Sequence, residues 1–184
     1  INLSSSTVYG PHPDNPVPLT EEHKARPPST SQYAVHKLQC EGLLHEYARE
    51  MTDACVSILR GCIVMGPSAR NFITQALFRP FLIGIRGSDP PMQFVHENDL
   101  TELLLLFITK NHSGTFNVAG SGAVNYSQLV RMAKRHCLWL PAPIAYGITN
   151  LSWALRLQNA APGVGLDFIR YPWMVSTEKL RHDT

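Results

Sequence analysis

From Tyr33 to Met51 the chain is made of helix-forming residues interrupted only by Gly42. Val35, Leu38, Leu43, Leu44, Tyr47 and Met51 recur at helical spacing, which predicts one helix with an apolar stripe. Cys55-Val56-Ser57-Ile58-Leu59-Arg60 then reads as a short strand, closed by the Gly66-Pro67 turn signal. Helix followed by strand is the rhythm of an α/β sheet. One helix is expected over Asn71 to Gly84, a turn over Gly87 to Pro91, and a strand-like run over Met92 to His96. Asp99-x-x-Glu102 fits a capping box before an apolar series that ends near Ile108. Thr115 to Ala119 is a strand leading into Gly120-Ser121-Gly122, and Asn125-x-x-Gln128 caps a third helix reaching about His136. Ala142 to Leu157 is one helix or two, and Ser176 to Arg181 is the first turn of another.

Ile1 to Ser6 reads as the last residues of a buried strand running out into a polar turn, and Gly10 to Ser31 as a proline-rich loop. Long loops in compact domains usually carry function. Both ends of the chain read as cut. At 184 residues and 44% hydrophobic content, the chain suits one ordinary domain or a large piece of a two-lobed one.

Sixteen basic against fourteen acidic residues give a net charge of +2. The bases are scattered along the sequence, so a nucleic-acid partner is not expected. Cys40, Cys55, Cys62 and Cys137 show neither CxxC nor metal-ligand spacing and are expected to be buried free thiols, without a metal site. The longest apolar run, Leu103 to Ile108, is too short to span a bilayer, so a soluble, cytoplasmic protein without a membrane partner is expected.

The candidate chemistry lies in Tyr33-Ala34-Val35-His36-Lys37. A Tyr and a Lys four apart on a helix present both heads on one face. A phenol is a poor base at neutral pH, and an adjacent ammonium brings a phenolate within reach of proton exchange with a hydroxyl or ketone. Upstream, Ser4-Ser5-Ser6 sits at the carboxyl end of a strand, where open α/β sheets place their ligands, and offers hydroxyls to a reacting oxygen.

In order, the serine run, Val8-Tyr9-Gly10, the proline-rich loop and Tyr33-x-x-x-Lys37 resemble the extended short-chain dehydrogenase/reductases, the NAD-dependent sugar epimerases and dehydratases. Leu59-Arg60 with Gly66-Pro67, Phe94-Val95-His96-Glu97-Asn98-Asp99 and Gly114 to Gly120 resemble further motifs of that family. The resemblance implies a partial Rossmann-like, doubly wound α/β sheet with a smaller C-terminal α/β substrate-binding lobe. Residues 1–67 would form the catalytic remainder of the Rossmann-like domain, with 94–112 packing back on it, and 68–184 would be mainly the lobe. It implies Tyr33 as acid/base, Lys37 as holder of the nicotinamide ribose, Ser5 as the substrate-orienting hydroxyl and the backbone around Cys62 as a contact to the nicotinamide of NAD or NADP. A small-molecule substrate, with hydride transfer at a carbinol or ketone, and a homodimeric parent are also implied.

The chain departs from the family in two places. Gly120-Ser121-Gly122 and Gly163-Val164-Gly165 both lack the third glycine of a pyrophosphate-binding turn, so the chain resembles a member without its amino-terminal half, leaving an open sheet edge. Ile63 stands at a substrate position where nucleotide-sugar members usually have Asn, and Met92 and Gln93 where they have Arg, which favours an apolar or unusual substrate. Ser6 and Thr7 occupy the places of a dehydratase's extra acid/base pair, which ranks dehydration below epimerisation and dehydrogenation. Two readings stand beside the enzyme: a non-catalytic dinucleotide-binding or sensory module, and a steroid-dehydrogenase-like enzyme.

Overall fold

A computed structural model of the chain describes residues 1–79, 81–157 and 163–184. In chain order, the elements begin with β1 (Asn2–Ser5), a 3-10 turn over Ser6–Tyr9, α1 (Gln32–Glu50), β2 (Ser57–Gly61) and β3 (Ile63–Met65). There follow α2 (Phe72–Leu77), β4 (Phe81–Ile85), β5 (Pro91–Met92), β6 (Phe94–His96), α3 (Glu97–Thr109) and β7 (Gly114–Val118). The last are β8 (Val124–Asn125), α4 (Tyr126–Met132), β9 (His136–Leu140), α5 (Ala142–Ala154), a 3-10 segment over Gly163–Ile169 and α6 (Glu178–Asp183).

β1, β2 and β7 form a three-stranded parallel sheet in that order. Its register aligns Leu3 with Leu59 and Phe116 in one row, and Ser4 with Arg60 and Asn117 in the next. Because strand side chains alternate between faces, the first row is apolar and the second polar. The apolar face packs on α3, where Leu59, Phe116 and Val118 meet Leu100 and Phe107. The polar face looks toward α1 and Tyr9.

Three smaller pairings complete the strands: β3 with β6 and β4 with β9, both parallel, and β5 with β8, antiparallel. The β4–β9 ribbon has α2 and α4 on one face, through Leu82, Leu129 and Val130, and α5 on the other, through Ile85 and Ala145.

Several elements differ from their expected form. The Asn71–Gly84 helix is a short helix followed by β4, because Asn71 closes a capping box with Thr74 and the apolar run after residue 80 finds a partner strand. The helix expected to reach His136 stops at Met132, and His136–Leu140 is β9. The expected strand over Met92 to His96 is divided at Gln93, and that over Cys55 to Arg60 begins at Ser57. His96, rather than Asp99, caps α3, its Nδ1 accepting from the Asn98 amide at 3.2 Å.

The apolar stripe of α1 is the largest departure. Leu43, Tyr47 and Met51 are exposed, while the helix buries Ala34 and Glu41. The sheet covers only a narrow strip of this helix, and a buried ion pair occupies it. Cys40, on α1, and Cys55 are likewise exposed, against the expectation of four buried thiols.

Candidate active site

Tyr33 and Lys37 stand one turn apart near the start of α1, and the Lys37 ammonium lies 5.7 Å from the centre of the Tyr33 ring. Tyr33 is 58% exposed, so its phenol is open to an incoming molecule. Lys37 Nζ donates to the Leu3 carbonyl at 2.7 Å. That bond ties the Tyr–Lys pair to β1 two residues before Ser5.

Ser5 ends β1 and caps the 3-10 turn: its Oγ accepts from the Thr7 amide at 3.2 Å and from Thr7 Oγ1 at 3.0 Å. Ser6 is 1% exposed and its Oγ has no hydrogen-bond partner. A buried hydroxyl without a partner costs free energy unless something supplies one. Ser6 lines a shallow recess together with Cys62, Pro91, Gln93 and Trp173. Trp173 is brought there by the proline-rich loop, which is pinned to the C-terminal segment: Asn15 Nδ2 donates to the Pro172 carbonyl, and Leu19 exchanges backbone bonds with Met174 and Ser176.

Beneath this surface the polar row of the sheet is linked into one network. Ser4 Oγ donates to Glu41 Oε1 at 2.5 Å, and Arg60 reaches the same carboxylate through Nε and a second nitrogen at 2.7 Å. Arg60 also donates to the Tyr9 hydroxyl at 2.8 Å, which in turn donates to Asn117 Oδ1 at 2.9 Å. Burial works against the Arg60 charge, but the bonds from Glu41 and Tyr9 offset it and hold its pKa above the ordinary guanidinium value. Burial likewise raises the Tyr9 phenol, with Arg60 and Asn117 opposing. Tyr9 therefore serves as a neutral strut, and α1 is fixed to all three strands.

The remaining expected positions lie deeper. Cys62 is buried, its amide donates to the Val118 carbonyl at 2.8 Å, and burial pushes its thiol up to about 12. Ile63 packs in an apolar cluster with Leu82, Met92, Tyr126 and Trp173. Gln93 is held both ways by Val175: its Nε2 donates to the Val175 carbonyl at 3.1 Å and its Oε1 accepts the Val175 amide at 2.8 Å. Lys37 is thus tied to β1, the strand that Ser5 ends, with Tyr33 one helical turn away, and Ile63 lies in the core.

A family model described as the NAD dependent epimerase/dehydratase family matches residues 1–119. The chain belongs to that family. An uncharacterized protein of Mycobacterium tuberculosis (strain ATCC 25618 / H37Rv) is 32% identical over 182 residues, which are 97% of this chain and 47% of that protein. The chain therefore spans about half the length of the curated relatives it matches. Among solved structures, MoeE5 in complex with UDP-glucuronic acid and NAD superposes with a TM-score of 0.68 at 23% identity, over 98% of this chain and 56% of its own. A UDP-glucuronic acid 4-epimerase from Bacillus cereus, in complex with UDP-glucuronic acid and NAD, gives 0.68 at 20% identity, over 98% and 53%. These likenesses show the Rossmann-like α/β fold of this epimerase/dehydratase family member.

Sequence reasoning overlooks Glu41 and the network it anchors. The signal for it is the spacing: Tyr33, Lys37 and Glu41 fall four residues apart, so they follow one face of α1.

Proposed function

We propose that this chain carries the catalytic residues of an NAD(P)-dependent oxidoreductase of the epimerase type, acting at a carbinol or ketone of a sugar nucleotide or related small molecule. The observation that supports the reading is the Lys37–Leu3 bond, which ties an exposed Tyr–Lys pair to the strand that ends at Ser5.

The residues present fit the nicotinamide end of the cofactor. Lys37 has ammonium protons beyond the one given to Leu3 for ribose hydroxyls, and Tyr33 is open to solvent. The glycine pair at Gly120 and Gly122 leads into β8 rather than a helix, so it does not form the anion-binding turn that a pyrophosphate uses. When bound, the nicotinamide accepts or returns a hydride at the substrate carbon.

Tyr33 takes the hydroxyl proton as the carbinol is oxidised and gives it back on reduction. Lys37 places positive charge beside the phenolate as it forms. The Ser5 oxygen already accepts two bonds from Thr7, so its own proton is the one to donate to the substrate oxygen and hold it toward Tyr33. With Gln93 tied to Val175 and Ile63 in the core, neither supplies a polar contact to a nucleotide diphosphate.

The test is to express the full-length protein and follow reduction of NAD and of NADP across a panel of nucleotide sugars and of apolar secondary alcohols. Ser5→Ala is expected to lower kcat by about 10²–10³ on whichever substrate turns over, the cost of one oxyanion donor. Turnover that Ser5→Ala leaves unchanged contradicts the assignment.

A further inference from the structure

The bases are unevenly shared between parts of the chain. Residues 68–93 and 119–157 hold seven Lys and Arg against one acidic residue, Asp89, whereas the rest of the chain holds nine against thirteen. This basic part contains α2, β4, β5, β8, α4, β9 and α5.

At one end of it the topology collects three chain turns. β4 and β9 run parallel, so their first residues, Phe81 and His136, lie side by side, with ring centres 6.1 Å apart. α2 and α4 end just before those strands begin, and Arg135 Nε joins the two helix ends by donating to the Leu77 carbonyl at 2.8 Å. Phe78, which follows α2, Phe81, which opens β4, and Met132, which ends α4, are 74%, 69% and 71% exposed. Arg79, Arg131 and Lys134 are exposed among them, and none belongs to an ion pair found among the described residues. No acidic residue occurs on α2, β4, α4 or β9.

Three large apolar side chains held out in water are costly unless something covers them, and a rim of uncompensated cations defines what can. We propose that this end of the fold docks on an anionic lipid surface, with Phe78, Phe81 and Met132 entering the headgroup region and Arg79, Arg131 and Lys134 meeting lipid phosphates. A second copy of the chain is a poor occupant, because a two-fold contact would set the same cations against each other. No helix among the described residues is long and apolar enough to cross a membrane, so the contact is one of surface docking.

The test is co-sedimentation of the full-length protein with phosphatidylcholine vesicles, with and without a minority share of phosphatidylglycerol, over a range of salt. Binding is expected only to the anionic vesicles and to weaken with salt. One cation near such a surface is worth about fivefold in partitioning, so R131Q with K134Q is expected to weaken binding by about 25-fold. F81S with M132S is expected to reduce binding at every salt concentration. All four positions are exposed, and unchanged melting curves for the variants will separate lost docking from lost folding. Equal binding to both vesicle types, no binding, or binding that neither double variant alters overturns the proposal. So does a concentration-dependent dimer that F81S with M132S abolishes, since a second copy would then be the occupant.

Discussion

Glu41→Ala removes the centre of the network that fixes α1 to the sheet. Both partners of its ion pair with Arg60 are nearly inaccessible, with side-chain exposures of 8% for Arg60 and 1% for Glu41. Deleting one member of a buried pair leaves the other charged and unpaired, a cost of about 3–5 kcal/mol. Ser4 also loses its acceptor, which adds about 1 kcal/mol. A total of about 5 kcal/mol is a large share of the 5–15 kcal/mol that holds an ordinary domain together. For a chain of this length it lowers Tm by about 10–20 °C. Urea unfolding of the full-length protein gives the number, and a cycle of Glu41→Ala, Arg60→Met and the double Glu41→Ala/Arg60→Met separates the pair from its surroundings. The double variant is expected to be more stable than Glu41→Ala, because it leaves no buried charge unpaired. A loss below about 1 kcal/mol for Glu41→Ala, or a double variant equal to the sum of the singles, would refute the argument.

Two further outcomes follow from packing and from titration. A Cβ at Gly84 would stand 2.5 Å from the Trp139 ring, so Gly84→Ala is expected to cost about 1–3 kcal/mol and to shift the tryptophan fluorescence; an unchanged emission and midpoint would contradict the β4–β9 register. Burial holds the Cys62 thiol protonated up to about 12, so native alkylation at mildly alkaline pH is expected at exposed Cys40 and Cys55 and not at Cys62. Its raised pKa means that the stability Cys62 contributes is whole below the unfolded thiol value and is lost as pH climbs toward about 12. Early labelling of Cys62 by mass spectrometry would show that its site is open.

What could be read from sequence was what local chemistry determines. α1, α3, β7 and the capped start of α4 carry helix formers, caps or β-branched runs that agree with their final state. β4 is different: Phe81-Leu82-Ile83-Gly84-Ile85 is a short apolar run whose periodicity does not separate a buried strand from a buried helix. Its partner β9 lies some fifty residues away, and only that parallel pairing decides the matter. The outward Leu43 and Tyr47 are a second case, since pattern alone ranks hydrophobes above a carboxylate for the inner face of α1. Glu41 wins that face because Arg60 and Ser4 wait on the sheet, a pairing visible only once β2 and β1 lie side by side. At the candidate site, the nearness of Lys37 to Tyr33 was legible from their spacing on one helix. The bond that ties Lys37 to the Leu3 carbonyl of β1 was not, because a backbone carbonyl leaves no mark in the sequence.

The most direct measurement is hydride exchange by the full-length protein with and without Tyr33→Phe, with nicotinamide binding measured on the same samples. Tyr33 is exposed, so the variant is expected to keep its melting temperature and its cofactor affinity while turnover falls by about 10²–10⁴. Turnover that survives the substitution, or cofactor binding without any Tyr33-dependent chemistry, would contradict the assignment of Tyr33 as the acid/base and leave a protein that recognises the dinucleotide without reacting it.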